Sequence, residues 1–247
     1  MEEIIVYFAV KYKGDWESIY QAISKKERVD MDEVKKTVAS LKTKWVTIIS
    51  KDYPNSLKQI PKPPFVLFYK GNFDLLFQKS IAVIGSRNAT KYGISACEKI
   101  VKDLVETEYC IVSGLAKGID SCSHRTALKY FGKTIAVLGY GLNFKDEALQ
   151  KEIIEKGLVI SEYPEDVLPH KKHFLFRNRL ISGLSSGVVV IEAKYKSGTM
   201  NTVAHGLEQN KEIFCVPNRI NEQSGCNKLI KEGAKLVESG KDIIEDL

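Results

Sequence analysis

The chain has 247 residues, 44% hydrophobic and 28% charged, enough to bury a sizeable core in one large domain, alone or with a small attachment. Lys and Arg outnumber Asp and Glu by 37 to 31, a net charge of +6 that suits a polyanionic partner without requiring one. Five cysteines without a CxxC pair, an acidic Met1-Glu2-Glu3 start and no apolar run near about eighteen residues exclude a disulfide scaffold, a structural zinc site, a signal peptide and a membrane span, so a cytoplasmic protein with no membrane partner is expected.

In chain order, Asp15 to Lys26 and Asp32 to Lys42 read as two short helices, each opening on a capping aspartate. They form a short N-terminal helical region over 1–44. The runs 45–50 (WVTIIS) and 64–72 (PFVLFYKGN) are strand-like, and turn-rich segments around Pro54 and Pro61 separate them. They are expected to extend the sheet of a larger domain over 45–247.

From residue 81 onward, β-branched runs recur at 81–86, 110–114, 134–139, 158–163, 188–193 and 212–217. Their starts lie 24 to 30 residues apart, the length of a strand, a helix and two turns. Near-continuous Val and Ile runs are typical of parallel strands buried on both faces. Helices are expected between them at Tyr92 to Glu106, Ser121 to Tyr130, Lys145 to Lys156 and Thr199 to Gln209. The fold class is therefore α/β, an extended Rossmann-like, doubly wound and mostly parallel sheet with a small N-terminal helical appendage. Past Pro217 one more helix near Lys228 to Glu232, a short strand and an acidic tail complete the chain.

Ligands of such sheets bind at the carboxyl ends of the strands. The first run delivers Gly85-Ser86-Arg87-Asn88-Ala89-Thr90, the second Ser113-Gly114-Leu115-Ala116-Lys117-Gly118-Ile119-Asp120, and the fifth Glu192-Ala193 followed by Ser197-Gly198-Thr199. Small residues at helix starts, with Arg87 and Lys117, describe an anion pocket suited to phosphate. Other phosphate and nucleophile motifs fail. Gly132-Lys133-Thr134 lacks the first P-loop glycine, since Ala127 stands there, and Gly139-Tyr140-Gly141 lacks the third glycine of a dinucleotide fingerprint. Gly183 to Gly187 spells GxSxG but precedes a strand, so it reads as a turn. The four histidines lack convincing metal companions and read as surface or capping residues; no metal or cofactor is expected.

The segment 169–179 places Lys171, Lys172, Arg177 and Arg179 around Phe174 and Phe176. Guanidinium groups grip phosphates and aromatic faces stack bases, a combination used for single strands. A solvated charged loop over core phenylalanines is the plainer alternative. Its place between two strands whose ends face the cleft favours the binding role. Asp120 is expected to cap a helix, Glu162 and Glu192 to fix Arg87, Arg177 or Arg179, and the cysteines to act as apolar filler.

These segments, with Asp52-Tyr53-Pro54, Leu67 to Asn72, Glu162-Tyr163-Pro164, Arg177-Asn178-Arg179 and Gly225-Cys226-Asn227, stand in an order that resembles the DNA-processing protein A family (DprA, also called Smf) over residues 45 to 237. The resemblance implies a non-enzymatic protein of natural transformation that binds and protects single-stranded DNA, forms a homodimer and helps to load the RecA recombinase. It places Gly85, Ser86 and Arg87 on a phosphate-gripping loop, Ser113, Gly114, Lys117 and Gly118 on a second, and Arg177, Asn178 and Arg179 on a third. Phe144 and Lys145 replace the family's usual Tyr-Pro turn, and the proline before Arg-Asn-Arg is absent. Many members also carry a C-terminal winged-helix-like domain, which is not expected in these residues. For a dimer, the patch singled out is Ile213 to Ile230 with Phe214, Val216 and Leu229.

A rival class is a nucleoside-monophosphate phosphoribohydrolase, which shares a Rossmann sheet and a Gly-rich loop. Its PGGxGTxxE signature is not met, because Thr202 stands where the glutamate belongs. A small-nucleotide sensor is the third class.

Overall fold

A computed structural model describes residues 1–144, 148–220 and 224–247. Three helices open the chain, α1 (Glu2–Lys11), α2 (Trp16–Ser24) and α3 (Met31–Ser40). They are followed by β1 (Lys44–Thr47), the single turn α4 (Asn55–Lys58), β2 (Val66–Gly71) and a 3-10 turn (Phe73–Phe77). The alternating part comprises β3 (Ser80–Gly85), α5 (Lys91–Glu106), β4 (Cys110–Ser113), α6 (Ile119–Lys129), β5 (Thr134–Leu138), α7 (Ala148–Lys156) and β6 (Leu158–Ser161). It continues through α8 (Lys171–Leu184), β7 (Gly187–Glu192), α9 (Gly198–Glu208), β8 (Glu212–Cys215), α10 (Gly225–Lys231), β9 (Lys235–Leu236) and α11 (Gly240–Glu245).

The strands form one sheet in the order β1-β2-β6-β5-β4-β3-β7-β8-β9. The neighbours from β6 to β9 pair in parallel, while β1 and β2 add an antiparallel ribbon along β6. The two upstream strand-like runs thus extend the sheet, as their composition predicts. Alternation along β3 sends Ala82 and Ile84 to a core with Leu180, Ile181 and Leu184 of α8. Ile81 and Val83 pack on the opposite face against Ile100 and Leu104 of α5 and Ile119 of α6. The N-terminal helical appendage packs on the sheet. Val6 and Phe8 share a cluster with Phe68, Ala136 and Val159 of the sheet.

The apolar run at 4–9, to which the sequence reading assigns no element, forms α1, whose Ile5 to Ala9 are all buried, so no polar face marks it as a helix. Three local expectations are corrected. Asp30, not Asp32, caps α3 by accepting from Asp32 N–H at 2.8 Å. The acidic tail folds into α11 through a capping box between Ser239 and Asp242. The basic segment 171–179 is no loop but the first nine of the fourteen residues of α8, capped by His170. The patch singled out for self-association is also changed: Phe214, Val216 and Leu229 lie in the chain's own core and are not surface. Among the described residues no helix is long and apolar enough to cross a membrane.

Candidate nucleic-acid interface

The connectivity reverses at β3, whose partners are β4 on one side and β7 on the other, which makes the carboxyl end of β3 the topological switch point. A cleft of about 610 Å³ opens there. Hydrogen bonds join the loops around it. Ser86 N–H donates to Glu192 O at 2.7 Å, Ile119 N–H to Ser86 O at 3.1 Å, and Thr199 Oγ1–H to Gly85 O at 3.1 Å, so the loops after β3, β4 and β7 are tied together. Gly118, at φ +81°, is where two of them touch. A Cβ there would sit 2.2 Å from Ser86 O and 2.7 Å from Arg87 O, and an L side chain would be strained besides.

Of the expected site residues, Gly85, Ser86, Arg87, Phe174, Arg177, Asn178, Ser197, Gly198 and Thr199 line this cleft. Lys171, Lys194 and Lys196 join them, exposed at the rim with Arg87. The last two follow β7 and could have been found by asking which loops flank the switch point. The Arg87 guanidinium lies 5.6 Å from the Phe174 ring centroid, so a flat cation and an aromatic face stand side by side. At the start of α9, Gly198 has nothing within 4 Å of where a Cβ would project, and Ser197 makes no side-chain cap bond. The Ser197 hydroxyl is buried and, among the described residues, has no hydrogen-bond partner. An open helix start, an unsatisfied hydroxyl and a rim of cations are the components of an anion site.

The remaining expected residues are placed elsewhere. Ser113 is buried and donates to Val83 O at 2.7 Å. Gly114 lies beneath Arg177, where a Cβ would come within 2.6 Å of the guanidinium. Lys117 is exposed on the second loop but does not line the cleft. Phe144 packs edge-on against Tyr140, with ring centroids 5.7 Å apart. Lys145 lies outside the described residues.

Arg179 departs most from a phosphate-gripping role. It is 2% exposed and donates from both Nη atoms to the two Glu162 oxygens, at 2.8 and 2.6 Å. The expected carboxylate–arginine pairing therefore holds for Glu162. Glu192 instead accepts from Thr90 N–H and Oγ1–H, which holds the start of α5. Thr90 and not Glu192 caps that helix.

The cleft wall continues inward into a polar core that the sequence does not advertise. Arg177 is buried and donates from Nη1 to Gly114 O at 3.0 Å and to Val137 O. It thus closes the carbonyl ends of β4 and β5. Asp120 is not the N-cap of α6, a position held by Gly118. It lies in the first turn and accepts from Ala116 N–H at 3.4 Å. Burial pushes its carboxyl above the ordinary carboxylate value, against the opposing charge of Arg177.

His124, expected at the surface or at a cap, is wholly buried. Its Nδ1 lies 2.6 Å from Thr134 Oγ1, which itself donates to Ile111 O at 2.8 Å, so Nδ1 carries the proton. Burial, aided by Arg177, pushes the imidazole down to about 3. The folded state therefore holds His124 neutral while the unfolded chain takes up a proton near pH 6.5. This contribution is complete above pH 6.5 and is lost as pH falls toward 3. The stability difference between the native chain and His124→Leu should shrink by up to about 1.4 kcal/mol per pH unit below about pH 6. Denaturant titrations of both proteins at pH 7 and pH 5 measure it, and a constant difference would contradict the assignment.

The family profile described as DNA recombination-mediator protein A matches residues 44–247. The chain is 45% identical over 206 residues to the DNA processing protein DprA of Streptococcus pneumoniae, covering 81% of this chain and 73% of that one. The X-ray structure of DprA from Streptococcus pneumoniae superposes with a TM-score of 0.83 at 41% identity, over 94% of this chain and 80% of that one. DNA processing protein A of Helicobacter pylori, described for its single-stranded DNA binding mode, superposes with a TM-score of 0.72 at 31% identity, over 84% of this chain and 96% of that one.

Proposed function

Since the chain belongs to the DNA recombination-mediator protein A family, we propose that it binds single-stranded DNA in the cleft at the end of β3 and acts by binding rather than by catalysis. The observation that carries this reading is the unpartnered Ser197 hydroxyl at the open start of α9, ringed by Arg87, Lys171, Lys194 and Lys196. Backbone phosphates fit that ring, and Phe174 beside Arg87 offers a face for a base. The rim is lysine-rich and made of flexible side chains, which suits a sequence-tolerant grip. Protection of incoming DNA in the cytoplasm, loading of the RecA recombinase and homodimerisation complete the proposal, by likeness to the family. Purified protein should accordingly release no base from nucleoside monophosphates.

The test is a salt series. Arg87→Ala should weaken binding of oligothymidylate by roughly ten-fold or more, the cost of about 1.5–3 kcal/mol for a charge-assisted hydrogen bond. It should also lower the slope of log K against log salt by about 0.7, the value for one phosphate on a single strand. Arg87→Lys should restore only part of the affinity, since an ammonium lacks the guanidinium fork. Lys241→Ala, in α11, is the control for diffuse charge. Unchanged binding in Arg87→Ala, or an equal loss in Lys241→Ala, would remove the cleft as the DNA site.

A further inference from the structure

A second cleft, of about 670 Å³, lies on the other side of α8, between that helix and the turn joining α1 to α2. Its walls are aromatic. Trp16 forms the N-terminal lip, and Tyr163, His173 and Phe176 form the opposite wall. Tyr163 and His173 are stacked with ring centroids 4.3 Å apart. Phe176 is backed by the Arg179 guanidinium at 3.6 Å from its centroid, so the ring is held in one orientation. Three lysines, Lys13, Lys62 and Lys172, stand against two carboxylates, Asp15 and Glu17. Both acids are engaged: Asp15 caps α2 by accepting from Ser18 N–H at 2.9 Å, and Glu17 pairs with Lys62. Flat apolar walls under a nearly balanced charge suit a planar ring with its charged part left in solvent, which is how aromatic platforms hold bases.

The two clefts are neighbours. Leu175 lines both and is 39% exposed. Asn178 of the first donates to Asn201 Oδ1 of the second at 3.0 Å. Two faces of α8 serve the two clefts, with Lys171, Phe174 and Arg177 on the first and Lys172, His173 and Phe176 on the second. Only one helix, about 10–12 Å across, separates them, and a strand of several nucleotides spans that distance.

We propose that the second cleft is a base-stacking subsite for the same DNA strand, which crosses α8 over Leu175 after leaving the first cleft. The inference rests on the single-stranded DNA reading above. Its occupant is a nucleobase, with the flanking phosphate at Lys172.

The chain has two tryptophans, Trp16 and Trp45, so Trp45→Phe leaves Trp16 as the only indole and a reporter of this cleft. Oligothymidylates of graded length are titrated into the full-length Trp45→Phe chain. Anisotropy of a labelled strand reads binding, and Trp16 emission reads occupancy. Short strands should bind without changing the emission; beyond a threshold length the emission should be quenched and the affinity should rise. Phe176→Ala should lower affinity for the long strands alone, by about five-fold or more, the usual loss for one stacked base. Lys172→Ala, at an exposed position that packing does not need, should do the same more weakly. Tight binding of long strands with Trp16 emission unchanged, and with Lys172→Ala equal to its parent, overturns the second subsite while leaving the first intact. Absence of binding at every length overturns both.

Discussion

Arg179→Ala should lower the unfolding free energy by about 3–5 kcal/mol, the usual effect of removing one partner of a buried ion pair. Arg179 and Glu162 are 2% and 5% exposed, and the bidentate pair is completed by Arg179 Nε–H donation to Lys62 O at 3.0 Å and Nη1–H donation to Phe176 O at 2.8 Å. Loss of the guanidinium strands a carboxylate in the core and frees two carbonyls. Against a total of about 5–15 kcal/mol for a typical domain, this is a large share. Urea titration should show a lower midpoint with an unchanged slope. The double variant Arg179→Met with Glu162→Leu should be more stable than Arg179→Ala, since a buried pair is often replaceable by apolar residues of similar volume. The slope of DNA affinity against salt should not move, because Arg179 does not reach the first cleft. A loss below about 1 kcal/mol, or a change in that slope, would contradict this placement.

Arg177→Met should be equally severe, for a different reason. The guanidinium holds the ends of β4 and β5 through Gly114 O and Val137 O, and its charge offsets the buried Asp120 carboxylate. Methionine fills much of the volume but leaves both carbonyls and the carboxylate unmatched, at about 3–5 kcal/mol. Burial already raises the folded carboxyl of Asp120, and loss of Arg177 raises it further. A group whose folded pKa lies above its unfolded one stabilises below the unfolded value and loses that contribution as pH rises. The Arg177→Met defect should therefore be larger at pH 7 than at pH 5. Adding Asp120→Asn to Arg177→Met should recover part of the loss at pH 7, and paired denaturation curves measure it. If Asp120→Asn adds a further loss instead, the two side chains are not electrostatically coupled.

The parallel strands were legible because burial on both faces demands unbroken Val and Ile, as at 81–84 and 188–191. The cleft followed from the same reading, since strand ends and small residues locate a switch point without any side-chain detail. What stayed hidden has physical causes. α1 is buried all round, so its period is masked, and α8 buries Arg177, Asn178 and Arg179, which the sequence reading places on a DNA-binding loop. Whether an arginine faces a ligand or a carboxylate depends on tertiary contact. Arg87 and Arg179 are alike in sequence, yet Arg87 stands exposed at the cleft rim while Arg179 is buried against Glu162. The signal for α11 was available in the Ser239-to-Asp242 spacing.

Two of the bonds that join the three loops beneath the first cleft run between main-chain atoms alone, Ser86 N–H to Glu192 O and Ile119 N–H to Ser86 O, and the side chains that also join them, Thr199, Thr90 and Glu192, are not the cations of the rim. A frame of that kind is indifferent to most of the side chains it displays. Arg87, Lys171, Lys194 and Lys196 can be exchanged or lost while the outline of the cleft persists. Affinity can thus be tuned over generations one charge at a time, with no new folding problem at each step. The glycine at 118, at the point of contact between two loops, is the position where that freedom ends.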